Sequence, residues 1–168
     1  DNDGVKAYLK ATGKASIDDI DVATAKGLVG ISVIPDTLSS QFFTDGKLRT
    51  ATEEGQYIIT GVVTADNKTT TVINKQANLL ESNIRVGNGI IHVIDNMLVP
   101  AALTLAQTIE QNPRYGIFTE LIKATGFYDT LNVVPAPPVT NRTYLTVIAE
   151  SDSAFKAGGI NDFAALQA

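Results

Sequence analysis

The chain contains no cysteine, one histidine and only 13 lysines and arginines among its 168 residues. Without cysteine it has no disulfide framework, no thiolate metal site and no cysteine nucleophile. The single histidine, His92, leaves little with which to activate a serine, and no serine sits in a Gly-x-Ser-x-Gly elbow, so hydrolase chemistry is not expected. The basic residues are spread along the whole length against 18 acidic ones, giving a formal charge of −5 and a pI near 4.8. No basic patch is therefore available to neutralise phosphates, and nucleic acid is not an expected partner. Nor does any apolar run approach the roughly 18 residues that a membrane helix requires, because His92, Asp95 and Asn96 interrupt the best candidate. The opening Asp1-Asn-Asp-Gly has neither the basic region nor the apolar stretch of a signal peptide, so any targeting sequence is expected to lie outside these residues.

Present instead is enough apolar material, 44% of the chain, for one cored domain that buries about 70% of the surface its unfolded chain exposes. Gly4 to Gly13 reads as a short helix, with Val5, Tyr8 and Leu9 at helical spacing and Gly13 placed to end it. Ser16 looks like an N-cap, with Asp18 and Asp19 in the first turn, where negative charge suits the helix dipole. Another helix is predicted from Ala23 to Ile31, and Pro35 stops the segment after it.

From Gly46 the pattern becomes that of strands. Lys47–Thr52, Tyr57–Thr64 and Thr69–Asn74 are rich in β-branched residues, with a turn at Asp66-Asn67 between the last two. Asn78–Val86 and Gly89–Ile94 add two more around Gly87-Asn88-Gly89. After Pro100 helical spacing returns in Thr104–Gln111 and again after Asn112-Pro113, with Ile117, Phe118, Leu121 and Ile122 on one face and Gly126 past the end. Pro135-Ala-Pro-Pro138 reads as a rigid extended link, and Tyr144–Ala149 as one buried strand. The fold class implied is α+β.

Among candidate site residues, His92 alternates with apolar neighbours in Ile90–Asp95 and reads as a core histidine whose ring nitrogens are satisfied by hydrogen bonds. Asp95 falls on the opposite strand face from His92, so the two do not form a dyad; Asp95 is expected to anchor a turn or backbone amides. Asp18, Asp19 and Asp21 lack the alternating oxygen pattern and glycine of a calcium loop and read as helix-start charges. Asn67-Lys-Thr69 and Asn141-Arg-Thr143 fit the N-glycosylation pattern in predicted turns. Phe42-Phe43, beside Asp45-Gly46, is a candidate adhesive surface, although buried helix-end aromatics are the commoner outcome. No catalytic, cofactor-binding or metal-ligating residue is expected.

Asp1-Asn-Asp-Gly-Val-Lys-Ala aligns with Ser151-Asp-Ser-Ala-Phe-Lys-Ala at an offset of 150, superimposing Lys6 on Lys156 and Ala7 on Ala157. Gly13 and Ser16-Ile-Asp-Asp recur loosely as Gly159-Ile-Asn-Asp, which suggests an internal repeat.

The stretch Asn88-Gly-Ile-Ile-His-Val-Ile-Asp-Asn-Met-Leu-Val-Pro100 closely resembles the second signature motif of fasciclin (FAS1) domains, and Leu145-Thr-Val-Ile-Ala-Glu-Ser-Asp-Ser-Ala-Phe155 resembles the first. Their order is reversed. The resemblance therefore implies that residues 1–100 are a fasciclin-like repeat lacking its opening helices and first strand, 101–112 a connecting segment, and 113–168 the opening part of a following repeat. It implies a β-sandwich or wedge with helices packed on one side and its elements in permuted order.

A first repeat without its opening strand leaves a sheet edge and an apolar helix seat exposed. Either 113–150 completes that core, within the chain or by exchange between neighbouring chains, or the two parts are half-domains ordered by a longer protein. By resemblance the function is that of a non-catalytic, cell-surface or secreted adhesion or scaffold module with a protein, matrix or glycan partner. The alternative is a small-ligand or glycan-binding module. A pocket lined by convergent polar groups favours the ligand reader; a flat apolar or charge-complementary patch favours adhesion. Some animal fasciclin domains are thought to bind integrins through a Tyr-His pair. In the corresponding Gly30–Pro35, Ile31 and Ser32 stand at those positions, so recognition of that type is not expected.

Overall fold

The computed structural model describes residues 1–134 and 145–167. They form two compact units, Asp1–Pro100 and Ala101–Ala168.

The first unit opens with α1 (Asn2–Thr12), whose N-cap Asp1 accepts a hydrogen bond from the Gly4 N–H, and which ends at Gly13 in the left-handed region, φ 69°. Gly4 is needed for packing, since a Cβ there would stand 2.7 Å from the Asn96 Cα. Ile17–Asp19 forms one 3-10 turn closed by a reciprocal capping box between Ser16 and Asp19. Helix α2 (Val22–Gly30) comes after it, N-capped by Asp21.

Five antiparallel strands come next: β1 (Gly46–Ala51), β2 (Tyr57–Ala65), β3 (Lys68–Ile73), β4 (Ala77–Val86) and β5 (Gly89–Ile94). They lie side by side in sequence order. The β2–β3 register, Thr64 opposite Thr69 and Ala65 opposite Lys68, leaves a two-residue turn at Asp66 and Asn67. Both have positive φ, 50° and 59°, as a hairpin matching strand twist demands. In β4 the pairing is irregular around Asn83, φ 62°. The Asn83 side chain there accepts from the Ser40 N–H at 2.9 Å and donates to Ser40 Oγ at 2.8 Å, tying the loop before β1 to the sheet.

Strand alternation sends Ile58 and Thr60 inward and Ile59 outward. The core of this unit comprises Ile31, Leu38, Phe43, Leu48, Ile58, Ile73, Ala77 and Leu98. Residues after α2 and after β5 thus close over one face of the sheet.

The second unit is helical: α3 (Leu105–Glu110), α4 (Gly116–Ala124), α5 (Phe127–Leu131) and α6 (Asp152–Ala157). Thr104 and Gln107 form a capping box at α3. Ala106, Ile109, Ile122 and Leu131 make its core, with Phe118, Tyr128 and Val147 packed against them. Asp152 Oδ1 accepts from the Ile117 N–H at 2.9 Å, so α6 satisfies one of the free amides at the start of α4.

The α+β class and the sheet agree with the sequence, with ends shifted by a residue or so. The expected strand at 144–149 does not form across its described part: residues 145–149 lie in no strand, Val147 packs on the helices of its own unit, and Ile148 is 91% exposed. Its β-branched residues have strand propensity, but propensity without a neighbouring strand makes no ladder. Pro135–Pro138, Asn141–Thr143 and Tyr144 lie outside the described residues. Helices α5 and α6 were not anticipated. The start of α6 repeats the start of α1 at the same offset of 150, with N-caps Asp1 and Ser151 accepting from the N–H groups of residues 4 and 154.

Candidate functional site

Two features of the first unit compete for a binding role. One is a cavity of about 430 Å³ that opens into the core itself, lined by Ile31, Leu38, Phe43, Leu48, Ile58 and Ile94 among others. That size suits a small ligand. The polar groups lining it, however, are already engaged with the protein, with one exception at His92 Nδ1. Asp1 caps α1, Ser32 Oγ donates to the Leu28 carbonyl, and Asn96 donates to the Gln76 carbonyl while accepting from the Met97 N–H. Asp36 takes two hydrogen bonds from Arg49, at 2.9 and 3.1 Å, and one from Thr50. The Arg49 hydrogen bond, then that of Thr50, holds the Asp36 carboxyl below the usual range.

His92 also lines the cavity. Its Nε2 lies 2.9 Å from the Leu38 carbonyl oxygen, an acceptor, so Nε2 donates that bond. Its ring leans on Phe43, with centroids 4.7 Å apart. The expectation that both ring nitrogens are satisfied is corrected for one of them: Nδ1 is buried with no hydrogen-bond partner, because the aromatic packing and the Leu38 bond fix the ring where no donor reaches it.

The second feature is the outward face of α2. Val22, Ala25, Lys26, Val29 and Gly30 line an open groove together with Ile20, Val33 and Glu53. Val22 is 72% exposed, Val29 63% and Val33 44%. The opposite side of the helix is seated inward through Leu28, and Gly30 lets it lie against Glu54, whose Oε2 is 3.0 Å from where a Cβ on Gly30 would be. The Glu53 N–H donates to the Val33 carbonyl at 2.9 Å, which fixes the loop carrying Glu53 at the end of the apolar stripe. This face is apolar, with one cation and one anion, neither in an ion pair among the described residues.

The other candidates read from the sequence separate clearly once placed. Asp95 anchors amides as expected, accepting from the Asn78 N–H at 2.7 Å and the Asn78 side chain at 2.7 Å, and the first of these bonds chiefly depresses its pKa. Asp19 accepts from the Ala15 and Ser16 N–H groups and Asp21 from that of Thr24, so these acids are spent on helix starts. Phe43 is buried, whereas Phe42 is 45% exposed beneath the Arg49 guanidinium. Ile31 is core, and Asn67 stands at the tip of the β2–β3 hairpin.

Among the described residues no three His, Asp or Glu side chains gather as metal ligands, and no helix is long and apolar enough to cross a membrane. Sequence reading missed the α2 face. The signal was the spacing of Val22, Ala25 and Val29, a second apolar stripe on a helix whose first stripe carries Leu28.

Comparison with known proteins agrees with the motif at Asn88–Pro100. A model of the Fasciclin domain matches residues 2–100. A solved structure described as a FAS1 domain pair from the insect cell adhesion molecule fasciclin I is similar at 17% identity and a TM-score of 0.44. The match covers 80% of this chain and 46% of that one, so the chain spans about half the length of that domain pair. Nothing among curated proteins matches.

Proposed function

The chain belongs to the fasciclin domain family, and on that premise we propose that it acts as a non-catalytic adhesion or scaffold module, outside the cell or at its surface, through the exposed face of α2. The family is one of cell-adhesion modules, which supports the general role. The observation that carries the specific reading is the contrast between the two sites: apart from the unpartnered Nδ1 of His92, the cavity's polar groups are engaged with the fold, while the α2 face presents contiguous apolar side chains with two charges that make no ion pair among the described residues. An apolar stripe with charge at its edge has the makeup of a small contact surface, apolar at the centre and polar at the rim. The partner is a protein or matrix surface rather than a membrane span or nucleic acid. As a piece of a tandem-repeat protein, with 1–100 and 113–168 from successive repeats and 101–112 between them, the chain would be displayed in several copies, and weak contacts would add by avidity.

Attachment of cells or matrix to the surface-bound chain tests this reading. Binding that excess soluble chain competes away supports it; attachment no better than to a blocked surface refutes it.

The cavity sustains one second reading, capture of a compact apolar molecule. Saturable uptake of an apolar fluorescent probe, displaced by substitution of Leu48 with a larger side chain, would establish it. Absence of uptake would leave the cavity as part of the fold.

A further inference from the structure

The α2 face carries opposite charges at separate places along its apolar stripe. Lys26 projects from the helix between Val22 and Val29, and Glu53 stands past Val33, held there by the bond from its N–H to the Val33 carbonyl. We propose that this face pairs with the same face of a second copy about a two-fold axis, Lys26 of each chain meeting Glu53 of the other across Val29 and Val33. The proposal rests on the contact-surface reading above and adds the identity of the partner.

A two-fold interface presents one patch to itself, so residue i meets j and j meets i. A patch with charges of one sign would repel its copy. One cation and one anion, set apart along the stripe, attract it when the two α2 helices run in opposite directions. Two ion pairs then form at the rim while water leaves the space between the valines, with the charges setting register more than affinity. A partner of a single charge sign would match only half of the face. The nine-residue helix with its flanking loop offers less than the roughly 800 Å² per partner of a standard stable complex. Association with a dissociation constant on the order of micromolar or weaker is expected.

Sedimentation velocity on the whole chain over rising concentration tests this. The parent chain should show a concentration-dependent dimer. Lys26→Glu alone and Glu53→Lys alone should each weaken it by about 10-fold or more, since each sets like charges face to face twice. Mixing the two variants should restore the parent dissociation constant, because the two acids on the face of the first variant then meet the two lysines on the face of the second. Both positions are exposed, and unchanged melting of each variant confirms that folding is intact. A parent chain that stays monomeric to its solubility limit, single variants that associate like the parent, or a mixture that fails to recover would each overturn the pairing. If the parent stays monomeric yet Val29→Asp abolishes attachment to cells or matrix, the contact reading survives and self-pairing falls.

Discussion

The cavity in the first unit and the outward face of α2 are both apolar, yet they differ in what their polar groups are doing. Around the cavity, Asp1, Ser32, Asp36 and Asn96 bond to the chain itself, and His92 does so through Nε2, its Nδ1 alone lacking a partner. On the α2 face, Lys26 and Glu53 are exposed and make no ion pair among the described residues. Polar groups committed to backbone amides and carbonyls hold a fold together. Uncommitted ones beside bare valines are available to something else. The lesson is that apolar lining alone does not mark a site; the state of the neighbouring donors and acceptors does.

Substitutions on the two sides of this contrast should have opposite consequences. Ile31, 1% exposed, lies in both the core and the cavity wall, so Ile31→Ala should cost about 2–5 kcal/mol in denaturant unfolding. A cost below about 1 kcal/mol would mean that the cavity wall is not part of the fold's core.

Asp95→Asn should cost less, about 1 kcal/mol, because the group is partly solvated and its bonds to Asn78 are screened accordingly. The sign of its pH dependence is fixed. The Asn78 bonds lower the folded-state pKa of Asp95 below its ordinary 3.8, so the stabilisation is fully present above the unfolded value and is lost as pH falls through the folded one. Unfolding monitored from neutral pH downward should show the parent losing its margin over Asp95→Asn in that acid range. A margin that persists at the acid end would show that the charge of Asp95 does not strengthen its bonds to Asn78.

The smallest effect belongs to neither region. At the β2–β3 tip Asn67 has φ 59°, a conformation glycine adopts without strain, so Asn67→Gly should raise stability by roughly a few tenths of a kcal/mol. The same substitution removes the Asn67-Lys-Thr69 acceptor. A shift in glycan mass in a glycosylating host would show whether that hairpin tip is modified.

Much of the first unit was legible because its signals are local. The Asp66-Asn67 turn, the β-branched runs, the Gly13 stop and the Ser16 cap each specify their own stretch of chain. The strand expected at 144–149 was misread because pairing is not local: the segment's side chains suit a sheet, and Val147 instead settles against the helical core of the second unit. Helix α5 was hidden by its length of five residues, too short for a periodic pattern to show. At the candidate site, the sequence indicated that α2 is a helix but not which stripe it buries, since Leu28 and Val29 are both apolar and only packing decides between them. The Phe42-Phe43 pair divided in the same way, one ring inside and one out.

Fold and contact can be separated at a single residue. Val29→Asp should leave unfolding free energy within about 0.5 kcal/mol of the parent, because the side chain is mostly exposed, and should abolish attachment of the chain to its partner surface. Attachment at parental strength by the folded Val29→Asp chain would contradict the assignment of α2 as the contact face.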